Sequence, residues 1–310
     1  MSDARDRRSP RSGVLYALAA FGIWGVNPLY FDAVRQLPPL ELLAHRIVWS
    51  VPLTALLITA VADWSALRAA VADRRTLATL AISSLLVSLN WLTFIYAIAT
   101  QRVVEASLGY FINPLVNVLL GLLFLRESLS RPQAVAVFLA LGGTLELTWS
   151  HGRLPWIALV LALSFGLYGL LRKTVAIEAV NGLFVETLLL SPLALGYLAA
   201  LAGGSRGTFG TRGIRLDLLI VCAGVVTAVP LVLYTSASRR LRYITIGVLQ
   251  YLAPSIQLTL GVFWFGEPFT RAHSVAFGLI WSGLVLFVVD AARTARATTR
   301  PTSRTTPTRR

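Results

Sequence analysis

The chain reads as long apolar blocks separated by short polar joints. A helix rises about 1.5 Å per residue, so crossing a bilayer core takes roughly 20 residues. Ten blocks approach that length: 13–33, 40–60, 77–98, 104–125, 132–149, 154–171, 179–201, 216–236, 243–265 and 272–290. Inside each block the apolar residues run nearly unbroken instead of recurring on one face, which marks helices covered by hydrocarbon or protein all round. The joints are too short to hold a separate soluble domain. The pattern predicts an all-α integral membrane protein with ten transmembrane helices.

Composition agrees and charge adds direction. Of 310 residues, 56% are hydrophobic and 14% charged, and the mean hydropathy is +0.70. A soluble domain carries about a quarter charged residues, so this chain lacks the charge to cover a water-facing surface. A net charge of +14 would suit nucleic acid, but its placement follows the membrane instead. With the N-terminus in the cytoplasm, 20 Lys and Arg fall inside and seven outside, with Arg46 left within a block. That asymmetry is the positive-inside rule. It predicts a multi-pass protein of the cell (inner or plasma) membrane with both termini cytoplasmic. The lipid bilayer, not nucleic acid, is then its large partner. The basic segment 1–12 resembles a signal-peptide n-region, but the cleavage-like "ALA" at 17–19 precedes any adequate apolar stretch. The first block should therefore remain as a helix. The basic tail 291–310 has no apolar period and is expected to be disordered.

Shifted by 140 residues, the chain falls on itself. "NPLVNVLLGLLFLRESLSR" (113–131) meets "APSIQLTLGVFWFGEPFTR" (253–271), matching Pro114 with Pro254, Gly121 with Gly261 and Glu127 with Glu267. Pro52 meets Pro192 and Gly143 meets Gly283 at the same shift, while "FGIWG" (21–25) meets "FGLYG" (165–169) at a shift of 144. The units are 13–149 and 153–290, each with five helices. An odd number of crossings turns the second copy upside down. Two inverted five-helix repeats are the plan of many secondary transporters.

Polar residues inside apolar blocks carry the candidate chemistry. Tyr110, Pro114 and Asn117 share one helical face, and the repeat matches them with Gln250, Pro254 and Gln257. Such stripes can line a solute pathway, with proline freeing a backbone carbonyl, or can serve as hydrogen-bonding glue between helices. Both readings stay open. Asn113 is matched by Ala253, so the repeat lends it no support. Trp24 with Asn27 and Pro28, and Asn90 in "SLNWLTF", are further pathway candidates. Arg46 and Glu186 lie well inside their blocks and match at the 140-residue shift. An ionisable group at that depth must face protein or water. Glu186 is a candidate for proton coupling, solute contact or structural pairing, and His45 could titrate near neutral pH. No "GxxxxGK[ST]", "HExxH", "CxxC" or "GxSxG" motif occurs, and three His with one Cys (Cys222) offer no metal set. No cofactor is expected.

Together these stretches resemble the RarD (chloramphenicol-sensitive protein) branch of the EamA family, in the drug/metabolite transporter superfamily. "ALAAFGIWGVNPLYF", "ELLAHRIVWS", "NWLTFIYA", "VEASLGYFINPLVNVLLGLLFLRE", "SFGLYGLLRK", "VETLLL", "GVVTAVPLVLYTSA" and "LQYLAPSIQLTLGVFWFGEPF" carry the likeness over residues 13–290. The resemblance implies a ten-helix inner-membrane permease with two EamA repeats, and it brings no particular substrate. The expected function is a secondary transporter that exports a small metabolite or drug-like solute by alternating access, with protons as a candidate coupling partner. The alternative is an integral-membrane enzyme or an accessory subunit without transport activity. Neither oligomeric state nor solute identity can be read from these residues.

Overall fold

A computed structural model describes residues 10–61, 64–99, 103–150, 156–204, 206–264, 266 and 270–298. The basic run before residue 10, the tail from 299 and Glu267 lie outside the described residues. Most of the described residues are helical. The helices are α1 (Pro10–Ala33), α2 (Pro39–Val61), α3 (Trp64–Ala72), α4 (Arg74–Ala99), α5 (Val103–Phe124) and α6 (Arg131–Ser150). The second half holds α7 (Trp156–Thr174), α8 (Ala179–Gly203), α9 (Ile214–Ser238), α10 (Tyr243–Gln250), α11 (Leu252–Phe263) and α12 (Arg271–Thr298).

Helices occupy all ten apolar blocks, and eight spans are long and apolar enough to cross a membrane. One of these, Tyr243–Phe263, joins α10 and α11. The step between them follows from Pro254, which has no N–H to give the Gln250 carbonyl four residues earlier, so the helical ladder breaks at Tyr251. Two features depart from the apolar pattern. The short helix α3 packs Leu67 against Ile58, Leu80 and Val185. Helix α12 runs on to Thr298, beyond residue 290, because its continuation "AARTARAT" consists largely of good helix formers.

The outside of the bundle is greasy. Phe138 and Leu193, both in mid-helix, are 71% and 77% exposed, as suits a surface in contact with lipid tails rather than water. The interior is closed by a cluster that includes Phe21, Tyr168, Tyr234 and Tyr243, all fully buried. In lipid the helices gain nothing from hydrophobic expulsion, so close packing must hold them together. The α6–α12 seam is an example. A Cβ on Gly143 would stand 2.6 Å from the Ala276 carbonyl oxygen, and one on Gly283 would stand 2.6 Å from that of Ala136. Only glycine lets these backbones approach so closely.

The helix pairings follow a pattern. Helix α1 packs on α9 and α11, as α7 packs on α4 and α5. Helix α9 also packs on α2, as α4 does on α8, and α2–α8, α5–α10 and α6–α12 pair directly. One end of the bundle is tied by charge. The Glu127 carboxylate accepts hydrogen bonds from the Tyr243 and Ile244 amides (2.7 and 3.0 Å) at the start of α10, where a helix's exposed N–H groups favour an anion. Lys173 donates to the carbonyls of Ser238 (2.7 Å) and Leu241 at the end of α9. On the loop before α4, Asp73 caps the helix by accepting from the Thr76 hydroxyl (2.7 Å) and amide (3.0 Å). Those hydrogen bonds, the Thr76 hydroxyl first, hold its carboxyl below the usual aspartate range.

Candidate functional site

The polar stripe of α5 meets its repeat-related helix directly. The Asn117 amide donates to Gln250 Oε1 (2.7 Å), and Gln250 Nε2 donates to Asn113 Oδ1 (2.5 Å). Asn113 in turn donates to the Ala162 carbonyl on α7 (2.6 Å) and weakly accepts from Asn117 (3.4 Å). The three amides are at most 6% exposed. They form a sealed ring that joins α5, α7 and α10 rather than an open wall. Asn113 is its hub, although the repeat gave it no support. Hydrogen bonding follows proximity across a seam, whereas repeat matching compares equivalent positions. Pro114 sets its carbonyl against Gly247 and lines a narrow apolar crevice with Val118, Val248 and Tyr251, away from this ring.

Gln257 does not join the ring. Its Nε2 donates to the Trp24 carbonyl (3.0 Å). Pro28 stands four residues after Trp24 in α1 and cannot offer that carbonyl a helical N–H. Gln257 supplies the missing donor and ties α11 to α1. The Trp24 ring sits among Phe21, Phe165 and Tyr234 at centroid distances of 5.6–5.9 Å. Pro254, buried on α11, breaks the ladder as described. Asn90 donates to the Leu161 carbonyl (2.9 Å) and the Ser164 hydroxyl (3.0 Å), fastening α4 to α7.

Glu186 lies seven residues into α8 and is 1% exposed. Its Oε1 stands 3.6 Å from Arg172 Nε, it accepts a hydrogen bond from Ser83 on α4, and Tyr168 Oη approaches at 3.4 Å. Arg172 is fully buried and also donates to the Ala179 carbonyl (2.9 Å). Gly182 makes this room, since a Cβ there would fall 1.8 Å from Arg172 Nη1. In the sequence Arg172 is one of the 20 basic residues on the inner side. Its usable signal was a basic residue at the end of one block close in sequence to an acid buried in the next.

Arg46 lies seven residues into α2, about 10 Å along the helix. The two charged residues that match in sequence therefore stand in different surroundings. The Arg46 guanidinium is flanked by the rings of Trp91 (5.2 Å) and Phe31 (5.7 Å), and Nε donates to the Thr227 hydroxyl on α9 (2.8 Å). Tyr30 and Tyr110 are within electrostatic range. Among the described residues no carboxylate pairs with it. A pair of cation–π contacts contributes about 1–2 kcal/mol, and one hydrogen bond from a charged donor about 1.5–3 kcal/mol. Enclosing an unpaired ion costs several kcal/mol, of the same order as these contacts, so water or another anion would add to its stabilisation. Access exists. Arg46, Phe31, Trp91 and Tyr110 come from four helices that converge in the bundle, yet each is only half-buried. Tyr110 otherwise leans on Phe94 (6.1 Å).

His45, next to Arg46, turns the other way. It is buried against Phe209 (5.3 Å), and neither ring nitrogen makes a hydrogen bond. The loop bearing Phe209 is pinned by Glu41, which accepts from the Thr208 amide (2.5 Å) and hydroxyl (2.9 Å).

An apolar helical bundle with charged residues held in its interior is the build of a multi-pass membrane protein, and the comparisons specify which kind. Residues 11–149 match the EamA-like transporter family. Protein RarD of Escherichia coli (strain K12) is 44% identical over 295 residues, covering 95% of this chain and 100% of that protein. An uncharacterized transporter of Vibrio cholerae is 43% identical over 95% of this chain and 98% of its own length. A crystal structure at 20% identity superposes with a TM-score of 0.71 over 92% of this chain, a likeness of fold. The chain belongs to the EamA family of membrane transporters, in its RarD branch.

Proposed function

We propose that the protein is a secondary transporter of ten crossings, built as two inverted five-helix repeats, that exports a small metabolite or drug-like solute by alternating access. The observation that carries this reading is the reciprocal seam. Gly143 meets Ala276 and Gly283 meets Ala136, both pairs being related by the 140-residue shift of the sequence. The wider helix pairings keep the same exchange symmetry. Two halves related in this way can swap conformations, which converts an opening on one side into an opening on the other.

In this reading both termini are cytoplasmic and the membrane is the inner one. The inner end is closed by Glu186, which reaches Ser83 of the first half and Arg172 of the second. The outer half is entered through the space at Arg46. Protons remain the candidate coupling partner, through Glu186. Single cysteines introduced at Ser205 and Thr305 in a Cys222→Ala background test the topology. An impermeant thiol reagent on intact cells should label Ser205→Cys and spare Thr305→Cys, and the reverse pattern overturns the arrangement. Solute flux in proteoliposomes with and without a pH gradient tests transport and coupling, and absence of any carried solute counts against the reading.

A further inference from the structure

Resting on the transporter reading, we propose that Arg46 is the anion-binding element of the pathway, and that the solute is a small carboxylate with a flat apolar body. The guanidinium offers five N–H donors. The rings of Trp91 and Phe31 lie 5.2 and 5.7 Å from it, and Nε is taken by Thr227. Its terminal nitrogens donate to no described residue and are not among the enclosed polar atoms. What remains free is the outer edge of the fork, the edge that grips a carboxylate through two parallel hydrogen bonds. Arg172 shows the contrast, with Nε and Nη1 both sealed from solvent.

The surroundings select among anions. Tyr30 and Tyr110 lie near Arg46, and among the described residues no ion pair is made with it. One positive charge matches a monoanion better than a doubly charged phosphate. The half-buried rings of Phe31 and Trp91 beside the guanidinium are flat and apolar. They suit a planar hydrocarbon body attached to the carboxylate.

The test uses the full chain in proteoliposomes, with Tyr110→Cys in a Cys222→Ala background as a reporter facing this space. Its reaction rates with an anionic sulfonatoethyl and a cationic trimethylammonioethyl methanethiosulfonate are each normalised to a free thiol. The anionic reagent should lead by about tenfold, as expected for one nearby unscreened charge. Arg46→Gln should bring the ratio close to one, while Arg46→Lys, which keeps the charge, should preserve most of it and separates loss of charge from loss of fold. Benzoate should slow the anionic reagent, whereas its neutral isostere benzamide should not. A ratio near one with Arg46 present, or equal protection by benzamide, overturns the proposal; stronger protection by inorganic phosphate overturns the carboxylate class. A protein that carries a neutral solute but lacks the anionic preference refutes this inference alone. One that keeps the preference yet moves no solute refutes the transporter reading alone.

Discussion

Arg46 and Glu186 stand at matching places in the two halves, seven residues into α2 and α8, and the molecule treats them in opposite ways. Glu186 is enclosed with Arg172, Ser83 and Tyr168, so its charge is consumed within the protein. Arg46 is held by aromatic rings and one hydroxyl, and its charge is left to act on whatever enters. Sequence symmetry assigns the two residues equivalent places in their repeats, which inversion sets toward opposite sides of the membrane. Their partners decide whether such a place becomes a clasp or a binding position.

The contrast can be broken most forcefully at the clasp. Glu186→Leu leaves Arg172 buried without its counter-charge and should cost about 3–5 kcal/mol of stability. Adding Arg172→Met should recover most of that loss, since a well-packed apolar pair often replaces a buried ion pair at little cost. Thermal unfolding of the detergent-purified chain measures both, and an unaltered Glu186→Leu melt would show that the pair holds nothing. The sealed amide ring comes next. Asn113→Ala removes partners from Ala162, Gln250 and Asn117 at once and should cost about 1–3 kcal/mol. Asn117→Ala, which spares the Asn113–Gln250 bond, should cost less in the same melts.

Arg46 should then behave unlike either. Arg46→Gln loses ring contacts but also relieves an uncompensated charge, so its melt should shift by the equivalent of about 1 kcal/mol or less. A loss as large as that of Glu186→Leu would mean that Arg46 also has a structural counter-charge. The smallest effect is expected at Asp73, an exposed charge outside the spanning segments. Its folded-state pKa is depressed, so the capping contribution is present above the unfolded value of about 3.8 and fades as pH falls through the lower folded value. Asp73→Ala should thus melt slightly below the parent chain at pH 7, and the two should converge in acid.

The apolar blocks made the helices legible, because length and unbroken hydropathy suffice to mark a crossing. Helix α3 escaped because a short amphipathic turn has too few residues to stand out from a polar joint. Arg46 and Glu186 were legible for the opposite reason, as isolated charges in apolar surroundings. Their partners were not. Nothing local in the sequence tells that Ser83 lies beside Glu186, 103 positions away, or that Thr227 receives Arg46 from another helix. Gln257 shows the limit again, since its contact with the Trp24 carbonyl depends on a gap made by Pro28 in a distant helix.

The seam between α6 and α12 has a consequence for ancestry. Ala136 and Gly143 on one helix meet Gly283 and Ala276 on the other, each alanine opposite a glycine. Because the two helices carry the same residues at equivalent places, either could mate with a second copy of itself through an isologous contact. Residues 13–149 therefore already contain both faces of that joint. A gene half this size would encode a homodimer, and fusion of two such genes would leave each half free to diverge, one keeping arginine where the other took glutamate.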